Sequence, residues 1–186
     1  MRYLHIGCGN VILPKPFENL DIREFDGVDH VSLAHPLEFE DDVFDLVYAS
    51  HILEHYKRNA LEDVLKEWVR VTKIGGRVRL SVPSFPNAIK IYEKTGKIEN
   101  ILGPINGGQT YDKEFHYCIF DERSLIGLME RCGLTAIHPW SYERTSHSDY
   151  WDFSQSITCG IPISLNLEGR KSDKKIDGMN LFEKRN

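Results

Sequence analysis

A glycine turn between two short apolar strands is the strongest constraint on the first part of this 186-residue chain. The run Tyr3–Ile6 leads into Gly7-Cys8-Gly9-Asn10, and a second run ends at the carboxylate of Asp21. Glycines let a backbone approach a ligand where a Cβ would collide, and an acid that closes the next strand can accept hydrogen bonds from both hydroxyls of a ribose. The pattern therefore predicts a nucleoside-binding strand, turn and strand.

The spacing of this motif limits the kind of nucleoside. A dinucleotide fingerprint has a third glycine, a helix that faces a pyrophosphate, and an acid about 20 residues on. Here Val11 stands in place of that glycine, and Asp21 comes only 14 positions after Gly7. Pro14 and Pro16 fall in between, and the interior of a helix does not tolerate proline. The turn suits a ligand with a ribose but no pyrophosphate, which favours S-adenosylmethionine over NAD.

The composition is that of one compact domain, since 41% of the residues are apolar and the length matches a single core. No basic region followed by an apolar stretch opens the chain, and no run approaches the ~18 apolar residues of a membrane span. We therefore expect a cytoplasmic protein that does not insert into a membrane.

Charge and cysteine spacing argue against nucleic-acid binding and against a cysteine zinc site. The net charge of −5 argues against binding to a nucleic acid backbone, and no Cys-x-x-Cys pair indicates a zinc site. Residues 169–186 differ, with six Lys or Arg against three acids. We expect residues 172–186 to form a basic, flexible tail. The sequence predicts no oligomeric state.

Periodicity predicts alternating strands and helices, as in a mainly parallel sheet. One helix is expected over about 59–73, ended by Gly75, and a second begins at the N-cap Asp121, with Gly133 in a left-handed position after it. Two last strands, about 134–142 and about 161–171, read as a hairpin. The apolar stripes that support the helices are Leu61, Val64, Leu65 and Trp68 in the first, and Leu125, Leu128, Met129 and Cys132 in the second.

Four landmarks in order resemble the class I S-adenosylmethionine-dependent methyltransferases, in particular their small type-11-like branch. They are Leu4-His5-Ile6-Gly7-Cys8-Gly9-Asn10, the run Phe44–His55, the run Leu65–Val71, and Gly75–Pro83. The resemblance implies an α/β, Rossmann-like fold. Its sheet would be mainly parallel and twisted, with about seven strands, a final antiparallel hairpin and helices on both faces, in a single domain over residues 1–171.

The resemblance also implies a cofactor site, because ligands of open α/β sheets bind at the carboxyl ends of the strands. Gly7, Cys8 and Gly9 would border the methionine part and ribose, Asp21 the ribose hydroxyls, and Ile22 one face of the adenine. At two positions where family members often have an acid, this chain has other residues. His5 stands at the end of the first strand, and Ser32-Leu33 stands where the acid would contact the adenine amine. The full set of predicted cofactor residues is His5, Gly7, Cys8, Gly9, Asn10, Asp21, Ile22, Ser32, Leu33, Ser50 and His51.

Histidines are the candidates for chemistry. His116 lies just before the second helix, where the resembling branch often has a histidine, and is the best candidate for a general base; His51 is a weaker one. A structural hydrogen bond is the alternative for His116, and packing against the sheet is the alternative for His5. His51 and His55 are one helical turn apart, but two imidazoles make an incomplete metal site, so we expect no metal.

Segments 84–117 and 143–159 are long connections that we expect to form the acceptor pocket. The predicted function is transfer of a methyl group from S-adenosylmethionine to a small polar acceptor such as a sugar or nucleotide-sugar hydroxyl. The alternatives are a non-catalytic nucleoside-binding module or partner subunit, and a nicotinamide-dependent reductase or epimerase. The last is disfavoured because no tyrosine has a lysine four residues on.

Overall fold

A seven-stranded sheet forms the centre of the molecule, whose computed structural model describes residues 1–173. The elements are β1 (Tyr3–Ile6), β2 (Phe17–Asp21), β3 (His30–Val31), β4 (Phe44–Ser50), α1 (Leu61–Val71), β5 (Thr72–Pro83), α2 (Phe85–Thr95), α3 (Glu99–Asn106), α4 (Glu122–Arg131), β6 (Leu134–Pro139), β7 (Ile157–Thr158), β8 (Ile161–Pro162) and β9 (Ser164–Lys171). The strands of the sheet lie in the order β3-β2-β1-β4-β5-β9-β6, and β9 runs antiparallel to both of its neighbours. A separate two-stranded ribbon pairs β7 with β8.

This architecture confirms the predicted Rossmann-like fold class with its antiparallel end. The predicted hairpin strands are shorter than expected, because Trp140 leaves β6 and residues 161–162 pair in the small ribbon instead of the main sheet. Segment 84–117 contains α2 and α3, which pack on each other around Ile91 and Ile101. Residues 174–186, which hold most of the predicted basic tail, lie outside the described part of the chain. No helix in residues 1–173 is long and apolar enough to cross a membrane.

The connection between β1 and β2 contains no helix. Parallel neighbours usually need a crossover of a dozen residues or more, most often helical, but residues 7–16 join these two strands as turns and coil. The amides of Gly7 and Cys8 both donate to the Leu20 carbonyl, at 2.7 and 3.0 Å, which holds the turn against the end of β2. The sequence prediction that this interval has no phosphate-binding helix is confirmed.

One face of the sheet is covered by α1 and α4, whose predicted stripes are buried in the main apolar core. The capping box of α4 forms at the predicted N-cap: Asp121 accepts from the Ser124 amide at 2.7 Å, and Gly133 has φ +90°. The end of α1 differs from the prediction. The chain becomes extended at Thr72, whose hydroxyl donates to the Trp68 carbonyl at 2.7 Å, so the helix ends before Gly75 is reached.

The opposite face of the sheet is polar. One row of paired positions crosses five strands and is buried throughout. The contacts that cover this row come from loops 11–13 and 140–154, whereas the sequence predicts helical cover on both faces. The row consists of Asn19, His5, Tyr48, Arg79 and Glu168.

Truncating the side chain at the centre of α1 should test how far the helical face stabilises the protein. Trp68 is fully buried, and its indole donates to the Ala34 carbonyl at 2.7 Å. Trp68→Ala should lower the free energy of unfolding by ~3–5 kcal/mol, because it leaves a cavity in a packed core. Chemical denaturation measures the change. The control Ile74→Ala removes a side chain that is 60% exposed and should cost less than ~0.5 kcal/mol; equal losses in the two variants would contradict this description of the core.

Candidate active site

A cavity of about 920 Å³ opens at the carboxyl ends of β1, β2 and β4. Its walls are the glycine turn, the start of the β2–β3 connection, residues 50–60 after β4, the segment 103–117, and residues 151–153. Pockets for small molecules and cofactors commonly have volumes of ~300–1,000 Å³, so this one has room for a nucleoside cofactor together with a small second ligand.

The glycine turn requires glycine at its first position. Gly7 has φ +67°, and a Cβ added there would lie 2.0 Å from Cδ1 of Ile52. Gly9 has φ +54°, and its amide donates to Oδ2 of Asp21 at 2.8 Å. The backbone amide of Arg23 donates to Oδ1 of Asp21 at 2.9 Å. Asp21 thus fixes the turn as well as lining the cavity. Its Oδ1 also accepts from Nε of Arg23 at 3.3 Å, so Oδ2 is the oxygen that can accept a further hydrogen bond.

His5 lines the cavity but is held by the sheet. Its ring is buried, Nδ1 lies 3.2 Å from Oδ1 of Asn19, and the ring stacks on Tyr48 at a centroid distance of 5.2 Å. Because an amide oxygen can only accept, and Asn19 Oδ1 also accepts from the Leu13 amide at 3.0 Å, Nδ1 of His5 is the donor. Burial lowers the pKa of His5 to about 4, so the ring is neutral at pH 7. These contacts favour the packing role for this histidine.

The predicted adenine side is open and apolar. Ile22 and Leu33 line the cavity with 42% and 49% of their surface exposed. Ser32 is the exception among the predicted cofactor residues: it does not line the cavity, and its hydroxyl donates to the Leu33 carbonyl at 3.4 Å. Burial raises the pKa of Cys8 to about 12, which keeps it a thiol. The other predicted residues that line the cavity are Gly7, Cys8, Gly9, Asn10, Asp21, Ser50 and His51.

Sequence reasoning missed an aromatic and cationic cover beside Asp21. The Arg23 guanidinium lies 4.7 Å from the centre of the Tyr111 ring and 4.8 Å from that of Phe25, and Nε of Arg23 lies 3.3 Å from Oδ1 of Asp21. Tyr111 and its neighbours in the segment 108–114 thereby reach across to the β2 side of the cavity. Tyr111 lies far along the chain from Asp21 and Arg23, and no local pattern links them, so only the tertiary structure reveals this contact.

Three histidines that line the cavity lie around the buried carboxyl group of Glu54. His51 Nδ1 lies 3.3 Å from Oε1 of Glu54, and His116 Nε2 lies 3.8 Å from the same oxygen. The rings of His55 and His116 have centroids 4.7 Å apart. His51 has φ +56°, an unusual backbone conformation for a residue other than glycine, and it directs the chain from β4 into the turn Leu53–His55.

Burial dominates the ionisation of this group of side chains. It raises the pKa of Glu54 to about 8 and lowers the pKa of His116 to about 4 and that of His51 to about 3. The three groups are therefore largely uncharged at neutral pH when nothing else is bound. The sequence indicates His51, His55 and His116 as candidates for catalysis or metal binding. Glu54 has no predicted role, although it directly precedes His55.

Both segments predicted to form the acceptor pocket contribute to the cavity wall. Segment 84–117 contributes Gly103, Pro104 and most of 108–117, but its helix α2 does not line the cavity. Segment 143–159 contributes Trp151, Asp152 and Phe153. Asp152 is held by a hydrogen bond from the Tyr48 hydroxyl, which ties the second segment to the centre of the sheet.

Comparison with known proteins agrees with this geometry. Residues 4–80 match the family described as "Methyltransferase domain". No curated protein matches the sequence at a significant level.

Solved structures extend the likeness beyond that range. A SAM-dependent methyltransferase from Archaeoglobus fulgidus is 17% identical, with 91% of this chain and 86% of that chain covered and a TM-score of 0.58. One from Methanosarcina mazei is 17% identical, with 92% of each chain covered and a TM-score of 0.58. The Burkholderia thailandensis 1,6-didemethyltoxoflavin-N1-methyltransferase, solved with bound 1,6-didemethyltoxoflavin and S-adenosylhomocysteine, is 16% identical, with 92% of this chain and 71% of that chain covered and a TM-score of 0.57.

The sequence match covers the glycine turn, Asp21 and the strands that carry them, and the structural likeness covers the fold as a whole. Together they agree with the resemblance stated from the sequence: residues 4–80 match a methyltransferase domain, and the fold is like that of solved SAM-dependent methyltransferases.

Proposed function

We propose that this protein transfers the methyl group of S-adenosylmethionine to a hydroxyl of a small polar acceptor, such as a sugar or nucleotide sugar. The observation that carries the proposal is that one cavity is lined both by the glycine turn with Asp21 and by His51, His55 and His116. A cofactor bound by the first set would direct its reactive end toward the second.

Methyl transfer from a sulfonium requires mainly that the protein positions the acceptor atom relative to the methyl group. Holding the acceptor atom in line and ~3 Å from the methyl group can supply much of the rate acceleration. The walls suit this task, since the segment 103–117 and residues 151–153 line the same cavity as the glycine turn. Their aromatic and polar side chains offer stacking and hydrogen bonds to a polar ring.

A hydroxyl acceptor also has to lose its proton. His116 donates from Nδ1 to the Pro104 carbonyl at 3.0 Å, which leaves the lone pair of the neutral ring on Nε2. That nitrogen can accept the proton of a hydroxyl, the role of general base expected from the sequence. The low pKa of His116 keeps Nε2 free of a proton at pH 7, although it also makes the ring a weaker base.

The two alternatives predict different ligands or no turnover. A nicotinamide-dependent enzyme would need to bind a pyrophosphate, but residues 7–16 provide no helix for it. A non-catalytic nucleoside-binding module would bind the cofactor without methylating anything. Binding and turnover assays therefore separate all three functions.

Loss of the Asp21 carboxylate should weaken cofactor binding. We expect Asp21→Ala to reduce the affinity for S-adenosylhomocysteine by ~1.5–3 kcal/mol, about 10- to 150-fold, because hydrogen bonds to a charged group are lost and the Gly9 amide loses its acceptor. Isothermal titration calorimetry measures the affinity, with NAD as the competing ligand. Asp26→Ala, at an exposed acid of the following turn, is the control and should leave the affinity unchanged. Saturable binding of NAD, without binding of S-adenosylmethionine or S-adenosylhomocysteine, would refute the cofactor assignment.

Loss of the His116 ring should affect turnover and spare the cofactor. With an acceptor found by screening sugars and nucleotide sugars for release of S-adenosylhomocysteine, His116→Ala should lower kcat ~100-fold or more at nearly unchanged cofactor affinity. His138→Ala is the matched control, since that exposed ring contacts the Ala136 carbonyl away from the cavity. If the wild-type protein binds the cofactor but no acceptor supports turnover, the non-catalytic module becomes the better description.

A further inference from the structure

Among the described residues, Glu54 is a buried carboxyl group without a hydrogen-bond partner. Its side chain is fully buried, and neither of its oxygens accepts or donates a hydrogen bond within residues 1–173. Its position is fixed by its own backbone carbonyl, which accepts from the amides of Tyr117 and Cys118 at 2.8 and 3.3 Å. Burying such a group without a partner is costly, so a carboxyl at this place calls for a proton or a cation.

Histidine nitrogens surround this carboxyl group. One potential ligand atom from each of Glu54, His55 and His116 lies within 4.8 Å of the others. His51 Nδ1 is closer still to Glu54, at 3.3 Å from Oε1. In a tetrahedral site with metal–ligand bonds of ~2.0–2.2 Å, ligand atoms lie about 3.4 Å apart, so small side-chain movements would complete the geometry.

The outer contacts of two of the rings determine where their lone pairs are. A carbonyl can only accept, so His55 donates from Nδ1 to Phe115 at 3.1 Å, and His116 donates from Nδ1 to Pro104 at 3.0 Å. The neutral His116 ring then has its lone pair on Nε2, whereas the His55 ring contacts the backbone of both Phe115 and His51.

His51 has the opposite tautomer. Its Nε2 lies 2.8 Å from the Ser164 hydroxyl, which itself donates to the Phe153 carbonyl at 2.7 Å and therefore accepts from His51. The lone pair of His51 is thus on Nδ1, the atom beside Glu54. In metal-binding histidines, the ring nitrogen that does not bind the metal typically donates its N–H to a carbonyl or similar acceptor.

We propose that Glu54, His55 and His116 bind one divalent transition-metal ion, with His51 as a fourth donor, where the three histidines line the cavity. Imidazole and carboxylate ligands suit Zn²⁺, Fe²⁺ or Mn²⁺ better than Ca²⁺ or Mg²⁺, which prefer all-oxygen sites. The sequence predicts no metal because His51 and His55 alone make an incomplete site. The fold adds Glu54 and His116 to these two imidazoles.

A bound cation would change the role of His116 from base to ligand. The metal could then bind the acceptor oxygen and lower the pKa of its proton, a task otherwise assigned to His116. Metal binding can be measured without cofactor or acceptor, so its outcome is independent of whether the proposed methyl transfer is correct.

The test is a metal titration of the full chain, freed of any affinity tag and treated with EDTA. Calorimetry with Zn²⁺, followed by elemental analysis after desalting, should give one equivalent per chain. Glu54→Gln and His116→Ala should each weaken Zn²⁺ binding at least ~10-fold. Co²⁺ in place of Zn²⁺ should show visible absorption bands that both variants lose.

Two controls separate this site from adventitious binding and misfolding. His138→Ala and Cys159→Ser remove an exposed imidazole and an exposed thiol elsewhere and should leave the stoichiometry at one. The affinity of each variant for S-adenosylhomocysteine reports an intact fold. Substoichiometric Zn²⁺, Co²⁺ and Mn²⁺ in the wild-type protein, or unchanged Zn²⁺ affinity in Glu54→Gln and His116→Ala, would overturn the proposal.

Discussion

The short connection between β1 and β2 is the constraint on which the rest of the structure depends. Gly7 has no room for a Cβ beside Ile52, and the Asp21 carboxylate accepts from the Gly9 amide at 2.8 Å, so the turn is tied directly to the end of β2. This arrangement brings the Asp21 carboxylate and the backbone of the glycine turn to one edge of the sheet. It leaves no helix to cover the sheet between β1 and β2.

The polar face of the sheet follows from that missing helix. The buried row from Asn19 to Glu168 is stabilised by its own pairs: His5 stacks on Tyr48, and Arg79 contacts Glu168 at 2.6 Å with Trp140 over its guanidinium. Buried ions are tolerated only when they are paired and hydrogen-bonded. The loop that supplies Trp140 also supplies Asp152, which bonds Tyr48 and lines the cavity. The same loop therefore covers the sheet and lines part of the cavity.

The cavity divides into two chemically different walls. The wall at the glycine turn offers backbone, Asp21 and the exposed apolar surfaces of Ile22 and Leu33, which suit a nucleoside. The wall that contains His51, His55 and His116 offers uncharged imidazole nitrogens around the buried Glu54. In the proposed reaction the cofactor spans the distance between these walls, and this division accounts for why one chain needs both sets of residues.

The sequence by itself determined the fold class, the helix-free glycine turn, the stripe of α1 and the cap of α4, because each depends on neighbours within a few positions. It also proposed a set of cofactor residues that, apart from Ser32, line one cavity, since the ends of parallel strands meet at one edge of a sheet. Only the tertiary structure decided that Ser32 lies outside the cavity, that Arg23 meets Tyr111, and that Glu54 lies among three histidines. The contacts of Arg23 with Tyr111 and of Glu54 with His116 join segments far apart in the chain, and no local periodicity or spacing encodes them.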